Sequence, residues 1–299
     1  MISLTLKANP TFADFTLRRS VFPFAEEAEL SHAPSLAHML RTRIAPTPSG
    51  FLHIGNALSF ITTWNWARAH GAELILRIDD LDAPRTQDAA VDDIFEQLQW
   101  MGIDWNEGPR NRAELQKTYS QTLRLGRYRE ALGMLWNAPE RRVFACECSR
   151  SQVTECTCRD RGLTHVPGKT AVRLRADLDQ ALGDAVIWRK EDLPAYQLAS
   201  VIDDLDLKIS HIIRGEDLKS STVFQKNLAR ALAQAGWADA EAFHLIHFMH
   251  HPLITGPAGE KLSKSAKSTS LIELRRGGLT RAELFNQLDL QAASRHLSK

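Results

Sequence analysis

The 299-residue sequence lacks any long hydrophobic run, and this absence limits the class of protein it can encode. A helix that crosses a bilayer needs about 20 consecutive apolar residues, which no stretch here supplies. The N-terminus also lacks the basic patch, apolar run and small-residue cleavage site of a secretory signal peptide. We therefore expect a cytoplasmic protein that has no membrane partner.

The sequence also lacks an excess of charge of either sign, because 37 Lys and Arg residues oppose 36 Asp and Glu residues. The net charge of +1 does not by itself indicate a nucleic-acid partner, so RNA binding would require a local basic face. Arg141–Arg142, Arg159–Arg161 and Arg275–Arg276 are candidates, although a solvated surface cluster is the simpler interpretation of each.

Alternating strand and helix patterns begin at residue 41. They predict a strand at 43–45, a turn at 46–50, a helix over 56–70, a buried strand over 73–78 and a helix over 87–102. This order predicts a parallel sheet with crossover helices. Farther along we predict helices over 112–137 and 222–236 and strands over 171–175, 185–189, 199–203 and 211–214. Residues 1–40 lack such a pattern, so we expect an N-terminal extension of unknown role before a domain over 41–299.

The first candidate functional motif is Pro48–Asn56, at the predicted turn from strand to helix. Gly50 and Gly55 allow the backbone to approach a ligand closely, and the helix start offers free N–H groups to a phosphate. His53 adds a side-chain donor that can stabilise charge on a reacting phosphate. Because many loops contain His and Gly, this motif alone does not decide the function.

The second candidate motif is Gly259–Ser265, which carries Lys261 and Lys264 among small polar residues. Two lysines on a mobile loop can clamp a triphosphate. The glycine spacing of a Walker phosphate loop is absent, and such a loop by itself is most often ordinary surface. The combination of the two motifs, in this order and far apart in the chain, is much more specific than either one.

Together the motifs resemble the two signatures of the class I aminoacyl-tRNA synthetases. His53-Ile54-Gly55-Asn56 is similar to the HIGH signature, with Asn56 in place of the last His, and Lys261–Ser265 is similar to the KMSKS signature. The resemblance implies a Rossmann-type α/β parallel-sheet core. It implies that His53 and Lys264 act on the phosphates of ATP, which arrives with Mg²⁺. The ATP-binding residues it implies are His53, Gly55, Asn56, Asp217, Lys261 and Lys264.

Four further segments resemble the glutamyl branch of that family. They are Arg41–Gly50, Arg77–Asp82, Tyr196–Ala199 and Ile213–Asp217. Arginine is the natural bidentate partner of a carboxylate. The glutamate-binding residues implied by the resemblance are Arg43 and Arg214 for the two carboxylates, Thr47 beside Arg43, Tyr196 as a hydroxyl, and Asp79 for the ammonium.

Asp79 departs from the family pattern, which has Glu at this position. Its side chain is one methylene shorter, so contact with the ammonium would need a small shift or a bridging water. The alternative is that Asp79, Asp80 and Asp82 form a solvated acidic turn, and a structural role is the better interpretation for Asp80 and Asp82.

All four cysteines lie in two C-x-C pairs, Cys146 with Cys148 and Cys156 with Cys158. This spacing suits a tetrahedral structural zinc site. Disulfides are disfavoured in the cytoplasm, and free buried thiols are the other alternative. The family resemblance also implies a zinc here, within an inserted acceptor-binding-like subdomain over about 112–195. The family's usual Tyr ligand position is Thr154 in this chain, and we infer that Cys156 replaces it.

Only residues 266–299 follow the lysine motif, which leaves no room for the helical anticodon-binding region of full-length glutamyl-tRNA synthetases. Ala195–Ala199 is similar to the corresponding segment of shortened relatives, which attach glutamate to the queuosine base of aspartate tRNA. We therefore expect ATP, L-glutamate and queuosine-containing aspartate tRNA as partners of a monomeric enzyme. The alternatives are a truncated glutamyl-tRNA synthetase that charges a tRNA 3′ end, and a non-catalytic paralogue that binds an adenylate or RNA.

Overall fold

The computed structural model describes residues 40–81, 87–149, 156–176, 183–254 and 270–296. The helices are α1 Ile54–His70, α2 Asp88–Met101, α3 Arg112–Glu114, α4 Leu125–Asn137, α5 Tyr196–Asp206, α6 Lys219–Gln234, α7 Leu271–Arg276 and α8 Arg281–His296. The strands are β1 Arg41–Ile44, β2 Glu73–Leu76, β3 Val143–Cys146, β4 Ala171–Leu174, β5 Ala185–Trp188, β6 His211–Gly215 and β7 His247–His251. Within the described ranges, none of the helices combines the length and the apolar composition that a membrane span requires.

The chain divides into two compact units. One spans His38–Leu279 and contains every strand named above together with α1 to α7. In the other unit the structure describes α8. Thr280 caps its first turn, because the Thr280 hydroxyl accepts a hydrogen bond from the Glu283 N–H at 3.2 Å.

Parallel strand pairs form the centre of the larger unit. β1 pairs with β2 from Arg41↔Glu73 to Ile44↔Leu76, and α1 connects the two strands. β6 pairs with β7 in the same sense, and α6 lies between them in the chain. The Ser210 N–H, just before β6, donates to the Arg41 carbonyl at 3.0 Å, so β1 and β6 start at the same edge. The predicted parallel sheet with helical crossovers is therefore confirmed.

Helix α1 has defined signals at both ends. It starts at residue 54 because the His53 side chain accepts a hydrogen bond from the Gly55 N–H (3.1 Å), which satisfies one of the free donors of the first turn. It ends at Gly71, whose φ of 63° is a left-handed conformation that glycine adopts without strain.

The prediction of a strand over 199–203 is wrong, because this segment lies inside helix α5. Its residues from Leu198 to Asp204 are buried without interruption. The Leu198–Ile202 run is short and apolar except for Ser200, so its pattern has no clear helical or strand period and does not distinguish the two structures. The predicted helix over 112–137 is interrupted by a π turn at Leu115–Tyr119 and a 3-10 turn at Gln121–Arg124.

A second, antiparallel sheet of three strands follows in the order β3, β4, β5. Its last strand ends at Trp188, which is fully buried together with Tyr128 of α4 and Phe243. These side chains belong to one apolar cluster that also includes residues of α5 and α6. Helix α5 is thus fixed on several sides by apolar contacts, which matters because α5 carries polar residues into the interior.

Two glycines allow the local packing to be tested. Gly108 has a φ of 117°, and a Cβ there would lie 2.2 Å from the Leu76 carbonyl oxygen at the end of β2. Gly133 lies within α4, where a Cβ would meet no atom within 4 Å. We expect Gly108→Ala to lower the free energy of unfolding by about 2 kcal/mol, because both strain and a clash result.

Gly133→Ala is the matched control and should raise the free energy of unfolding by about 0.5–1 kcal/mol, since alanine favours a helix interior. Denaturant titration of the three proteins measures both changes. Equal stability of the Gly108→Ala variant and the unaltered protein would contradict the packing described for β2.

Candidate active site

A cavity of about 320 Å³ opens beyond the carboxyl ends of β1 and β6. This is the position where ligands bind in parallel α/β sheets. It brings together eight of the residues predicted from the sequence, which are Arg43, Thr47, His53, Gly55, Asn56, Tyr196, Arg214 and Asp217. Residues that are far apart in the chain therefore share one cavity.

His53 lies at this cavity with a defined ring orientation. Its Nδ1 accepts the Gly55 N–H at 3.1 Å, so the neutral ring carries its proton on Nε2. Asn56 completes a capping box, since its Oδ1 accepts the His53 N–H at 3.0 Å. A Cβ at residue 55 would lie 3.0 Å from the imidazole, which explains the glycine there. The HIGH-like segment thus orients His53 through its own hydrogen bonds.

Lys261 and Lys264, the lysine half of the predicted ATP site, lie outside the described residues. Asp82 of the acidic segment and Thr154 near the cysteines also lie outside them. Three polar residues that line the cavity were not selected from the sequence, namely Ser59, Thr63 and His251, and Ser59 Oγ lies 2.7 Å from His251 Nε2. The adjacent histidines at 250 and 251, shortly before the lysine motif, are the sequence signal that could have indicated His251.

Arg214 is a buried guanidinium whose hydrogen-bond partners are all neutral. It donates to Thr222 Oγ1 at 2.7 Å, to Gln225 Oε1 at 2.9 Å and to Tyr196 Oη at 3.4 Å. Within the part of the chain that the structure describes, Arg214 has no ion pair with a carboxylate. Burial lowers the pKa of Arg214, and the nearby charge of Arg43 acts in the same direction, while Tyr196 and the charge of Asp204 act against them. The site therefore holds a positive charge that a bound anion could neutralise.

Arg43 is also buried, but it already has a carboxylate partner. Its Nε donates to Asp204 Oδ1 at 2.9 Å, and the Asp204 side chain has no exposed surface. Although burial opposes ionisation of Asp204, the charges of Arg43 and Arg77 lower its pKa. Asp204 is therefore a carboxylate, and Arg43 differs from Arg214 in having a compensated charge.

Asp79 does not line the same cavity as the other predicted glutamate-binding residues. It lines a second cavity of about 240 Å³, and Thr47 and Tyr196 line both. Both Asp79 oxygens accept from Arg77, at 2.7 and 3.3 Å. The alternative of a solvated acidic turn is wrong for Asp79 and Asp80, which are 7% and 8% exposed. Asp80 accepts from the Ser120 hydroxyl at 2.6 Å, which supports a structural role.

Two buried aspartates near the end of α5, Asp203 and Asp204, were not among the residues selected from the sequence. Asp203 accepts from Tyr128 Oη at 2.8 Å and from Gln121 Nε2 at 2.7 Å. A usable signal was present, because two adjacent carboxylates directly after a largely apolar run are costly to bury unless cations or donors accompany them.

The four cysteines form one cluster next to β3. Their sulfur atoms all lie within 4.8 Å of one another, with Cys146 and Cys156 3.5 Å apart and Cys148 and Cys158 3.7 Å apart. These separations are far longer than a disulfide bond of about 2.05 Å, so the disulfide alternative is wrong. They are close to the edge of about 3.8 Å that a tetrahedron of thiolates around zinc would have, given a Zn–S bond of about 2.3 Å. The cluster could therefore hold a metal ion.

With this geometry established, comparison with known proteins identifies the family. The catalytic domain of the class I tRNA synthetases for Glu and Gln (E and Q) matches residues 39–156 and 159–298. The chain belongs to this family. Glutamate–tRNA ligase 2 of Coxiella burnetii (strain Dugway 5J108-111) is 33% identical over 281 residues, covering 83% of this chain and 56% of that protein. Glutamate–tRNA ligase of Nitrosospira multiformis is 31% identical, covering 84% of this chain and 57% of that protein.

The solved structures support the same fold. Glutamate–tRNA synthetase from Elizabethkingia anophelis has a TM-score of 0.66 and 22% identity, covering 84% of this chain and 61% of that one. The expected class I synthetase fold with a Rossmann-type parallel sheet is confirmed. The chain spans about half the length of the curated relatives it matches (56%).

The cysteine cluster predicts a metal content. We expect the purified protein to hold about one divalent metal ion per chain, and Cys156→Ser to release it at a chelator concentration that the unaltered protein withstands, because one of four thiolates is lost. Thr157→Ala, between two of the cysteines, is the matched control and should retain the metal. Elemental mass spectrometry measures the ratio, and a metal-free, normally stable protein would contradict the assignment.

Proposed function

We propose that this chain activates glutamate with ATP to form glutamyl-adenylate and then transfers the glutamate to an RNA hydroxyl. The buried charge of Arg214 is the observation that carries the amino-acid part of the proposal. Arg43 and Arg77 are matched by Asp79 and Asp204, so Arg214 adds one uncompensated positive charge beside Tyr196. Free glutamate carries a net charge of −1 near neutral pH and glutamine carries none, so the charge of the site favours glutamate.

The proposed substrate contacts follow from the same residues. Arg214 and Tyr196 would hold one carboxylate, and Arg43 with Thr47 would hold the other. Asp79 would accept a hydrogen bond from the ammonium across the neighbouring cavity, which shares Thr47 and Tyr196 with the first. Asp79 would keep its ion pair with Arg77. The ammonium would donate to a lone pair of the Asp79 carboxylate that Arg77 does not use.

The proposed ATP contacts surround the start of α1. His53 would donate from Nε2 to a phosphate oxygen, and the helix start with Gly55 and Asn56 would face the nucleotide. Asp217 lines the same cavity. Lys261 and Lys264 would stabilise the departing pyrophosphate, and Mg²⁺ would accompany the phosphates.

In the first step, an oxygen of the glutamate α-carboxylate would attack the α-phosphorus, and the bond to pyrophosphate would break. In the second step, an RNA hydroxyl oxygen would attack the activated carbonyl, lose its proton and displace AMP. The residues of the chain contribute orientation and charge stabilisation to both steps.

For the acceptor, we propose the queuosine base of aspartate tRNA. The support is the similarity of Ala195–Ala199 to the corresponding segment of the shortened relatives with that activity. The second candidate is aminoacylation of a tRNA 3′ end, which is favoured by the names of the curated relatives, both glutamate–tRNA ligases. A tRNA substrate of either kind implies a cytoplasmic location.

For the metal, we propose a structural zinc ion held by Cys146, Cys148, Cys156 and Cys158. Four thiolates fill a tetrahedral zinc site and leave no position for a substrate. The zinc would hold the cysteine-bearing segment against β3, from which Cys146 extends, and so stabilise a part of the chain that meets RNA.

The proposed activation step predicts ATP–pyrophosphate exchange that requires glutamate. Arg214→Gln should raise the KM for glutamate about 100-fold, because a buried charge-assisted contact is lost, while the KM for ATP changes little. Arg129→Gln, which alters an exposed arginine paired with Asp192, is the control and should behave as the unaltered protein. Absence of exchange with any amino acid would contradict the enzyme proposal.

The acceptor proposal predicts which RNA becomes labelled. Radioactive glutamate should be transferred to aspartate tRNA that contains queuosine and not to the same tRNA without it. Enzymatic removal of the 3′-terminal adenosine should leave the labelling intact, since the acceptor hydroxyl would be on the base. Labelling of unmodified glutamate tRNA, abolished by the same removal, would instead establish the second candidate.

A further inference from the structure

Helix α5 presents two adjacent carboxylates to the interior, and their environments differ. Asp203 and Asp204 are each 1% exposed. Asp203 faces the residues before and within α4, accepting hydrogen bonds from Gln121, Arg124 and Tyr128 at 2.7 to 2.8 Å. Asp204 faces the candidate active site instead. The pair therefore offers two buried charges on one helix, of which only one is directed at the cavity.

Asp204 holds two arginines from different parts of the sheet. It accepts from Arg43 Nε at 2.9 Å and Arg43 Nη2 at 3.5 Å, and from Arg77 Nη1 at 2.7 Å. Arg43 belongs to β1 and lines the first cavity, whereas Arg77 directly follows β2. One carboxylate thus separates two buried guanidinium groups that would otherwise repel each other.

Arg77 extends the arrangement to the second cavity. Its Nε and Nη2 donate to the two oxygens of Asp79, which lines that cavity. Burial disfavours the charge on Arg77, but Asp79, Asp204 and Asp203 outweigh it and raise the pKa of Arg77 well above its usual value. The order Arg43, Asp204, Arg77, Asp79 is therefore a continuous chain of ion pairs that connects the two cavities.

We propose that Asp204 is the positioning residue of the amino-acid site, holding Arg43 for a carboxylate directly and Asp79 for the ammonium through Arg77. This inference rests on the proposed function, because it assumes that an amino acid occupies the two cavities. Asp204 does not line either cavity and would not touch the substrate. Its role would be to fix the distance between the anion-binding and cation-binding ends of the site, which decides how well an α-amino acid fits.

The test compares Asp204→Asn with Asp206→Asn in glutamate-dependent ATP–pyrophosphate exchange. Both variants keep the side-chain shape and remove one carboxylate charge from the same helix, but Asp206 pairs with Arg124 and Arg127, which line neither cavity. We expect Asp204→Asn to raise the KM for glutamate at least about 10-fold and to leave the KM for ATP within about 2-fold, since the nucleotide contacts are elsewhere. Asp206→Asn should keep both KM values within about 2-fold.

Either of two results would overturn the proposal. One is an equal effect of the two variants on the KM for glutamate, and the other is an equal rise of the KM for glutamate and the KM for ATP in Asp204→Asn. If Asp204→Asn does not fold, Arg77→Lys is measured in its place, because it retains the charge but loses the contacts to both Asp204 and Asp79. A raised KM for glutamate alone supports the proposal, and an unchanged one overturns it. An unaltered protein without glutamate-dependent exchange would instead overturn the proposed function.

Discussion

The free-energy cost of burying arginine side chains organises this structure. Three guanidinium groups, those of Arg43, Arg77 and Arg214, lie near the carboxyl ends of β1, β2 and β6 and are almost fully buried. Burial of an unpaired charge is strongly unfavourable, so each group requires an anion or a dense set of acceptors. Asp79 and Asp204 provide the anions for two of them. Arg214 has neutral acceptors among the described residues, and this difference is the basis for proposing that an anionic ligand binds there.

The fold explains how these charges are brought together. Parallel strands end at one edge of the sheet, and α1 starts at the same edge with His53 as its cap. Helix α5 begins at this edge with Tyr196, runs toward the start of β6 at the opposite edge, and supplies Asp204 from its last turns, held in place by apolar contacts. The side of the cavity around His53, which we propose for the nucleotide, is set by local hydrogen bonds. The side around the arginines, which we propose for the amino acid, is set by long-range ion pairs. The cysteine cluster is part of the separate antiparallel sheet region and depends on neither.

This division also determines what could be predicted from the sequence. The motif around His53, the four cysteines and the parallel core were predictable because they depend on neighbours in the chain or on strand and helix periods. The eight residues that share the first cavity were selected by resemblance, and the structure brings them together. The helix at 199–203 was missed because a short, largely apolar segment gives no clear period. The role of Asp204 was missed because its two arginine partners are more than 120 residues away in the chain. The separation of Asp79 from the main cavity likewise depends on its ion pair with Arg77, which sequence spacing does not reveal.

The central claim is that the uncompensated charge of Arg214 binds a carboxylate of glutamate. A crystal structure of the protein with glutamate and a non-hydrolysable ATP analogue tests it most directly. We expect a glutamate carboxylate oxygen within about 3 Å of the Arg214 guanidinium, with the nucleotide phosphates on the His53 side of the cavity. A glutamate molecule whose carboxylates both lie away from Arg214, with that guanidinium still bonded only to Thr222, Gln225 and Tyr196, would contradict the account.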